Sequence, residues 1–211
     1  LSFAGSSYSA PLGAVTATGE MPAIMLSGQI GSGAGDLNVS ATGPAPITNY
    51  TSDILVTSTT GDITVKAQGK ADSYRSAIWW QQGGLVQSTD GDILIEGSSV
   101  EASQKGIDLG STDVIAQGSG DITIRGAANA NVDGLYVGES YIGSQTGAVL
   151  LESTQGALNL IAPSLGKNPL LSTSSADITL RADKILQPAN LALRTSGDFV
   201  VEPYGSDFAA D

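Results

Sequence analysis

A twelve-residue motif recurs along this chain and constrains its fold more than any other feature. Each copy holds two short apolar runs around a small polar turn that usually ends in Gly-Asp. Six copies align without a gap: ILVTSTTGDITV from Ile54, GLVQSTDGDILI from Gly84, DVIAQGSGDITI from Asp113, VLLESTQGALNL from Val149, PLLSTSSADITL from Pro169 and NLALRTSGDFVV from Asn190. A weaker seventh copy ends at Val39. Self-similarity of this kind is typical of repeat architectures, so one structural unit is predicted to stack on itself.

The Gly-Asp positions give the period of the repeat. They are Asp36, Asp62, Asp92, Asp121, Ala157, Asp177 and Asp198, separated by 26, 30, 29, 36, 20 and 21 residues. A spacing of about 20 suits one coil of a β-solenoid, and the longer intervals are interpreted as the same coil with an insertion. The insertions contain YRSAIWWQQ, SQKGIDLG and NVDGLYVGESYIG, which are interpreted as extra strands or loops on one side.

The second apolar run of each copy alternates in the manner of a β-strand. In GDITV, Ile63 and Val65 share one face while Thr64 lies on the other. Equivalent residues of successive coils would stack about 4.8 Å apart, each coil covering the apolar face of its neighbour. We therefore predict an all-β fold, a parallel β-helix (solenoid) of about seven coils with inserted strands or loops. A repeated antiparallel β-sandwich is the alternative, because it explains the composition equally well.

The repeat divides the chain into three parts. Residues 25–205 are predicted to form the β-solenoid. Residues 1–24 are interpreted as an amino-terminal lead-in or inter-subunit segment, and residues 206–211 as a carboxy-terminal tail or a link to the next repeat. The first residues lack the basic region and apolar run of a signal peptide, so the chain is interpreted as a fragment or a processed product.

Charge and composition limit the partners and the chemistry. The net charge is −12, and the nine basic residues are scattered along the sequence without a basic stripe. Neither nucleic acid nor an anionic membrane surface is therefore an expected partner, and no apolar stretch is long enough for membrane insertion. Cys and His are absent, which removes thiol nucleophiles, disulfides and the commonest general base and metal ligand. We predict that the chain is not an enzyme.

The same residues resemble a known family of bacterial exoproteins. The pattern appears as STTGDITVKA, STDGDILIEG, GSGDITIRG, SSADITLRA and TSGDFVVEP. It is similar to the repeats of filamentous haemagglutinin-like exoproteins and of giant β-strand-repeat adhesins of Gram-negative bacteria, over about residues 25–205. The resemblance implies a right-handed parallel β-helix, exported to the cell surface or beyond, that mediates adhesion and aggregation. The chain departs from the family in its long coils between Asp36 and Ala157.

The Gly-Asp column offers a candidate metal site. Stacked carboxylates of Asp62, Asp92 and Asp121 would repel one another unless they are splayed, hydrogen-bonded or bridged by a cation. Calcium is the natural bridge for ligands that are all oxygen. The competing interpretation is that each Asp caps its own turn through local side-chain to backbone bonds. No other cofactor is expected.

Aromatic residues offer a candidate binding patch. Trp79 and Trp80 are adjacent, so on a strand one must point inward and the other outward. An exposed indole beside Tyr74 would suit a sugar or a protein partner. Tyr136 and Tyr141 could lie on the same side about two coils away. The competing interpretation is that both tryptophans pack within the fold.

The expected function is a shaft or filament segment of a surface-exposed or secreted bacterial adhesin, which associates head-to-tail with itself or with neighbouring repeats. A carbohydrate-binding module centred on Trp79 and Trp80, taking host or community glycans, is the first alternative. The second is a polysaccharide lyase or hydrolase, for which Asp90 with Asp92, or Asp108 with Asp113, would supply a carboxylate pair.

Overall fold

The fold is built from short β-strands that form three parallel sheets. The computed structural model describes residues 2–3, 15–18, 24–26, 28–32, 34–43, 46–49, 53–161, 170–186 and 191–208. Within these residues every strand pairing is parallel, and from the strand at Ile24–Leu26 onward successive strands pass from sheet A to sheet B to sheet C and back to sheet A. The predicted parallel β-solenoid is therefore confirmed, and the antiparallel sandwich is excluded. The sheets contain eight, seven and eight strands, close to the expected number of coils.

The strands have the following bounds. Sheet A contains β1 (Ser2–Phe3), β3 (Ile24–Leu26), β6 (Ile47–Thr48), β9 (Ile78–Trp80), β12 (Ile107–Leu109), β15 (Asp133–Val137), β18 (Ala157–Leu160) and β21 (Ile185–Leu186). Sheet B contains β4 (Gly28–Ser32), β7 (Ile54–Ser58), β10 (Gly84–Ser88), β13 (Thr112–Ala116), β16 (Tyr141–Ser144), β19 (Leu170–Ser172) and β22 (Ala192–Arg194). Sheet C contains β2 (Val15–Thr18), β5 (Leu37–Gly43), β8 (Ile63–Gly69), β11 (Ile93–Ser99), β14 (Ile122–Ala127), β17 (Val149–Gln155), β20 (Ile178–Arg181) and β23 (Phe199–Glu202).

The core is a set of apolar columns that run from coil to coil. Ile93 pairs with Ile63 on one side and with Ile122 on the other, and all three side chains are buried. Alternate residues of the same strands face outward, as the period of two requires. Burial of the inward apolar side chains of each coil therefore depends on the neighbouring coil, so the stack of coils is the folding unit.

The coils are three-sided, and the expected insertions are regular strands. YRSAIWWQQ supplies β9, SQKGIDLG supplies β12, and NVDGLYVGESYIG supplies β15 and the beginning of β16. Ile78, Ile107 and Leu135 stand in register in sheet A, so the third side recurs in every one of these coils. The predicted extra strands on one side are therefore present, and they are the regular third strands of the coils. β1 and β2 also join sheets A and C, although they lie in the predicted lead-in.

The copy from Val149 lies in a different register from the one that its sequence predicts. Val149 pairs with Ile122 in sheet C, so this run is the second strand of the motif and not the first. The Gly-Asp position of this coil is therefore Ala148, and Ala157 begins β18 in sheet A. Apolar runs on both sides of Gly156 imitate the motif, and Gly156 has a φ of 85°, a left-handed conformation that favours glycine.

The corrected register gives a more regular coil. The column is then Asp36, Asp62, Asp92, Asp121, Ala148, Asp177 and Asp198, with spacings of 26, 30, 29, 27, 29 and 21 residues by subtraction. Only the last coil is as short as the predicted period. It reaches this length with strands of two and three residues in sheets A and B.

Glycine precedes the aspartate column because neighbouring coils touch at that point. Gly61, Gly91, Gly120 and Gly147 are all buried and stack on one another. A methyl group added to Gly91 would overlap the backbone of Gly61. The motif therefore keeps glycine for close backbone approach. No described helix is long and apolar enough to cross a lipid bilayer.

Candidate functional site

The outward face of sheet A carries a column of aromatic and polar side chains. Trp79, Asp108, Tyr136 and Asn159 occupy equivalent positions on β9, β12, β15 and β18. We call these four residues the sheet A strip. Their neighbours on each strand point into the core, so the column faces outward by alternation.

The two adjacent tryptophans separate as alternation predicts. Trp80 is 0% exposed and lies in the core, so it cannot contact an external ligand and does not belong to the predicted patch. Trp79 is half-buried on the outer face. The guanidinium carbon of Arg75 lies 4.2 Å from the centroid of the Trp79 ring, which is within the range of a cation–π contact. Of the two tryptophans, Trp79 is therefore the one that lies on the outer face, and a binding role for it stays a prediction.

Asp108 occupies the position between the two aromatic rings and is 4% exposed. Its Oδ1 accepts a hydrogen bond from Gln81 Nε2 at 2.8 Å, and its Oδ2 pairs with Lys105 Nζ at 2.9 Å. The same ammonium lies 3.7 Å from the centroid of the Tyr136 ring. Both oxygens of the carboxylate are thus satisfied, as burial of a charge requires.

Tyr136 lies two coils beyond Trp79 on the same face of sheet A, the side on which the sequence analysis expected it. Burial raises the pKa of the phenol, and the charges of Asp108, Asp133 and Glu139 raise it further. The hydroxyl therefore stays protonated at neutral pH and can donate a hydrogen bond. Asn159 Nδ2 donates to Asp133 Oδ2 at 3.0 Å and continues the polar column.

The other two aromatic residues of the predicted patch lie elsewhere. Tyr141 begins β16 in sheet B, and its backbone N–H donates to Asp113 Oδ1 at 2.8 Å. Its phenol crosses over Gly143, where a side chain would collide with it. Tyr74 is exposed in the segment between β8 and β9, next in sequence to Arg75. The predicted patch therefore reduces to Trp79 and Tyr136 on the strip.

The aspartate column forms a ladder of hydrogen bonds between coils. Asp62 Oδ1 accepts the backbone N–H of Asp92 at 2.9 Å, and Asp92 Oδ1 accepts that of Asp121 at 2.8 Å. Asp36, Asp121 and Asp177 make the same bond to the residue of the next coil. Each Asp therefore caps the following coil and not its own turn, which corrects the local-capping interpretation.

The predicted calcium role for Asp62, Asp92 and Asp121 has no support from their geometry. Among the described residues, no group of three or more acidic side chains is arranged to hold a metal ion. One oxygen of each of these carboxylates is already used by a backbone N–H. Calcium binding at this column stays a prediction.

The carboxylate pairs considered for glycoside hydrolysis serve other contacts. Asp108 lies in sheet A and Asp113 in sheet B, where Asp113 accepts the N–H of Tyr141. Asp92 accepts the N–H of the next coil, and the carboxylate of Asp90 lies against Gly118. Three of these four carboxylates, those of Asp92, Asp108 and Asp113, therefore accept hydrogen bonds within the fold.

Sheet C carries a ladder of alternating charges that the sequence analysis missed. Lys66, Glu96, Arg125, Glu152, Arg181 and Glu202 occupy equivalent positions on β8, β11, β14, β17, β20 and β23. We call this column the charge ladder. Each neighbouring pair is an ion pair. Three of the nine basic residues described as scattered are thus aligned. The sequence feature that indicates the ladder is the charged residue after each alternating apolar pair, as in GDITVK and GDILIE.

Glu152 is the buried centre of the charge ladder. Its side chain is 3% exposed, it accepts a hydrogen bond from Arg125 Nε, and it pairs with Arg181 Nη1 at 3.1 Å. These contacts raise the pKa of both arginines against the lowering effect of burial, chiefly through the hydrogen bond to Glu152 for Arg125 and to Glu202 for Arg181. The two guanidinium groups therefore remain charged.

Comparison with protein-family models, curated proteins and solved structures finds no significant match to this chain. The resemblance to filamentous haemagglutinin-like exoproteins stays a prediction from the motif.

Proposed function

We propose that this chain is a shaft segment of a bacterial surface-exposed or secreted adhesin, supporting adhesion, aggregation or matrix formation. The observation that carries the proposal is the continuity of all three sheets from the first described strands to the last. Sheets of eight strands would give about 34 Å of shaft per chain. A stack of this kind gains length by adding coils, because each coil contacts only its neighbours.

Two columns favour a stiff shaft. The aspartate ladder and the charge ladder both run along the solenoid axis and join successive coils through charged side chains, the aspartate ladder with one gap at Ala148. Bonds between coils resist bending because bending would separate them on one side. A rigid spacer is the mechanical element that an adhesin needs to hold a contact surface away from a cell.

The final coil favours head-to-tail association. Phe199 and Val201 continue the buried columns of Ile178 and Leu180, yet they are 41% and 46% exposed. A following coil would cover both side chains and pair with the edge of β23 that no other described strand occupies. We propose that the covering coil comes from a neighbouring repeat or a second copy of this chain, since contacts of this type build filaments.

Association of the 211-residue chain at a series of concentrations tests the proposal. We expect light scattering after size-exclusion chromatography and electron microscopy to show end-to-end particles that lengthen in steps of one chain. The double variant Phe199→Asp/Val201→Asp should abolish them, because charge at these positions opposes stacking. Val200→Asp is the matched control, since Val200 lies between the two residues and faces outward. Compact, unassociated monomers of the unmodified chain at every concentration would contradict the proposal.

A further inference from the structure

We infer that the sheet A strip binds a linear, electrically neutral glycan that lies along the solenoid axis. This inference does not depend on the proposed shaft function, because the strip lies on the side of the solenoid and away from the terminal coil.

The spacing of the two rings favours a chain-like ligand. Trp79 and Tyr136 are two coils apart, so their rings are separated by roughly 9.6 Å along the axis. A disaccharide unit of an extended glycan has a comparable length, so successive sugar units can contact the parts of the two aromatic side chains that Arg75 and Lys105 leave uncovered. Both side chains are half-buried, which leaves part of each ring at the surface. Aromatic side chains with a polar edge are suited to sugars, whose ring faces are apolar and whose rims are polar.

The strip is held in position before any ligand arrives. Arg75 packs against Trp79, and Lys105 joins Tyr136 to the buried carboxylate of Asp108. Rigid side chains lose less conformational entropy when a ligand binds, so the same contacts give higher affinity. These cation–π contacts therefore serve to orient the rings.

Polar side chains lie beside the two rings. Gln81 lies beside Asp108. Asn159 lies one coil beyond Tyr136, and its side-chain amide lies beside Asp133. The protonated Tyr136 hydroxyl adds a donor. Aromatic faces together with a few placed donors and acceptors are the usual composition of a small-molecule site.

Charge selects a neutral glycan. The ammonium of Lys105 is offset by the carboxylate of Asp108, and Tyr136 lies within the field of Asp133 and Glu139. The chain as a whole carries a net charge of −12. Sulfated or uronic-acid polymers would therefore be repelled, while a neutral polymer would not.

Affinity electrophoresis and calorimetry with defined polysaccharides test the inference. The neutral probes are mixed-linkage β-glucan, xyloglucan, galactomannan and chitin oligosaccharides, and the anionic probes are polygalacturonate and heparin. We expect binding to at least one neutral probe and to neither anionic probe. Trp79→Ala and Tyr136→Ala should each weaken that binding roughly tenfold or more, as loss of a central aromatic contact does.

Matched variants separate loss of contact from loss of fold. Trp79→Phe and Tyr136→Phe keep a ring at each position and should retain most of the affinity. Tyr204→Ala removes an aromatic side chain that is 49% exposed but lies outside the strip, and should leave binding unchanged. Thermal unfolding followed by circular dichroism shows whether each variant is folded.

Any of three glycan-binding results overturns the inference: no binding to any neutral probe, equal affinity in the alanine variants and the unmodified chain, or a preference for anionic probes. Capture of a protein through the strip without any glycan binding would also overturn it, since the site would then be a protein contact. Loss of end-to-end association in the terminal-coil variants would leave the glycan result unaffected, so the two proposals fail separately.

Discussion

Replacing Glu152 with Gln removes one charge from the centre of the charge ladder and preserves the size of the side chain. Glu152 is 3% exposed and accepts contacts from Arg125 and Arg181. After the substitution two guanidinium groups remain beside a neutral amide, and only Glu96 and Glu202 on the outer sides still offset their mutual repulsion. We therefore expect the substitution to lower the free energy of unfolding.

The magnitude follows from the burial of the three groups. Removing one partner of a buried ion pair costs about 3–5 kcal/mol. Here Arg125 and Arg181 are 39% and 37% exposed, so water replaces part of the lost interaction. After that discount, we expect a loss of about 2 kcal/mol.

Glu96→Gln is the matched control on the same ladder. Glu96 is 34% exposed and pairs with Lys66 at 2.9 Å and Arg125 at 3.8 Å, so its loss should cost about 0.2–1 kcal/mol. Urea unfolding followed by circular dichroism measures both variants, with unchanged dependence on urea showing that the unfolding transition is comparable. Equal losses at Glu152 and Glu96, or no loss at Glu152, would refute the assignment of Glu152 as the buried centre.

Three further predictions concern single positions. Gly91→Ala should lower the free energy of unfolding by about 1–3 kcal/mol, because the added methyl group overlaps the preceding coil. Gly205→Ala should have little effect, because atoms added there meet nothing closer than 3.4 Å. Equal effects of the two substitutions in urea unfolding would contradict the stacking of glycines. Asp92→Ala should lower the free energy of unfolding by about 1 kcal/mol, because it removes the hydrogen-bond acceptor for the next coil. Asp92→Asn should keep most of the stability, because its amide oxygen still accepts that bond. An Asn variant no more stable than the Ala variant would argue against the aspartate ladder. Burial and nearby carboxylates raise the pKa of Tyr136, so its contribution to stability is complete below the unfolded value of about 10 and is lost as pH rises through the folded pKa. Tyr136→Phe should therefore make the free energy of unfolding fall less steeply with pH in the alkaline range. Identical pH dependence in the variant and the unmodified chain would refute this.

The stacking of coils could be predicted from the sequence because it repeats in apolar residues. Ile63, Ile93 and Ile122 follow Gly-Asp at a fixed distance, and alternation assigns them to one buried face. The pairing of the motif copies in the structure is less regular than their gapless sequence alignment implies. Val114 pairs with Val86, so the turn in the copy from Asp113 is one residue longer than in its neighbours.

The third strand of each coil could not be recognised as part of the repeat. β9, β12 and β15 share an inward apolar pattern but no motif, since IWW, IDL and GLYV have little in common. Three residues are too few for alternation to identify a strand. The strands therefore looked like insertions, although they complete each coil.

The candidate site was predicted only in part, for physical reasons that differ between residues. Alternation correctly separated Trp79 from Trp80, because neighbours on a strand face opposite sides. Tyr141 was misplaced because a corner between sheets separates it from Tyr136. The contacts of Asp108 depend on residues from adjacent coils, so sequence distance gave no indication of them.

In-register stacking of parallel coils underlies every proposal above, and disulfide trapping measures it most directly. The chain has no cysteine, so introduced pairs report only on themselves. Leu94 pairs with Thr64 on one side and Thr123 on the other, all on the outer face of sheet C. Neighbouring coils place equivalent Cα atoms about 4.8 Å apart, within the range of a disulfide, whereas two coils place them about 9.6 Å apart and outside it. We predict that Thr64→Cys/Leu94→Cys oxidises readily and that Thr64→Cys/Thr123→Cys stays reduced; the reverse order, or no cross-link in either pair, would contradict the stacked solenoid.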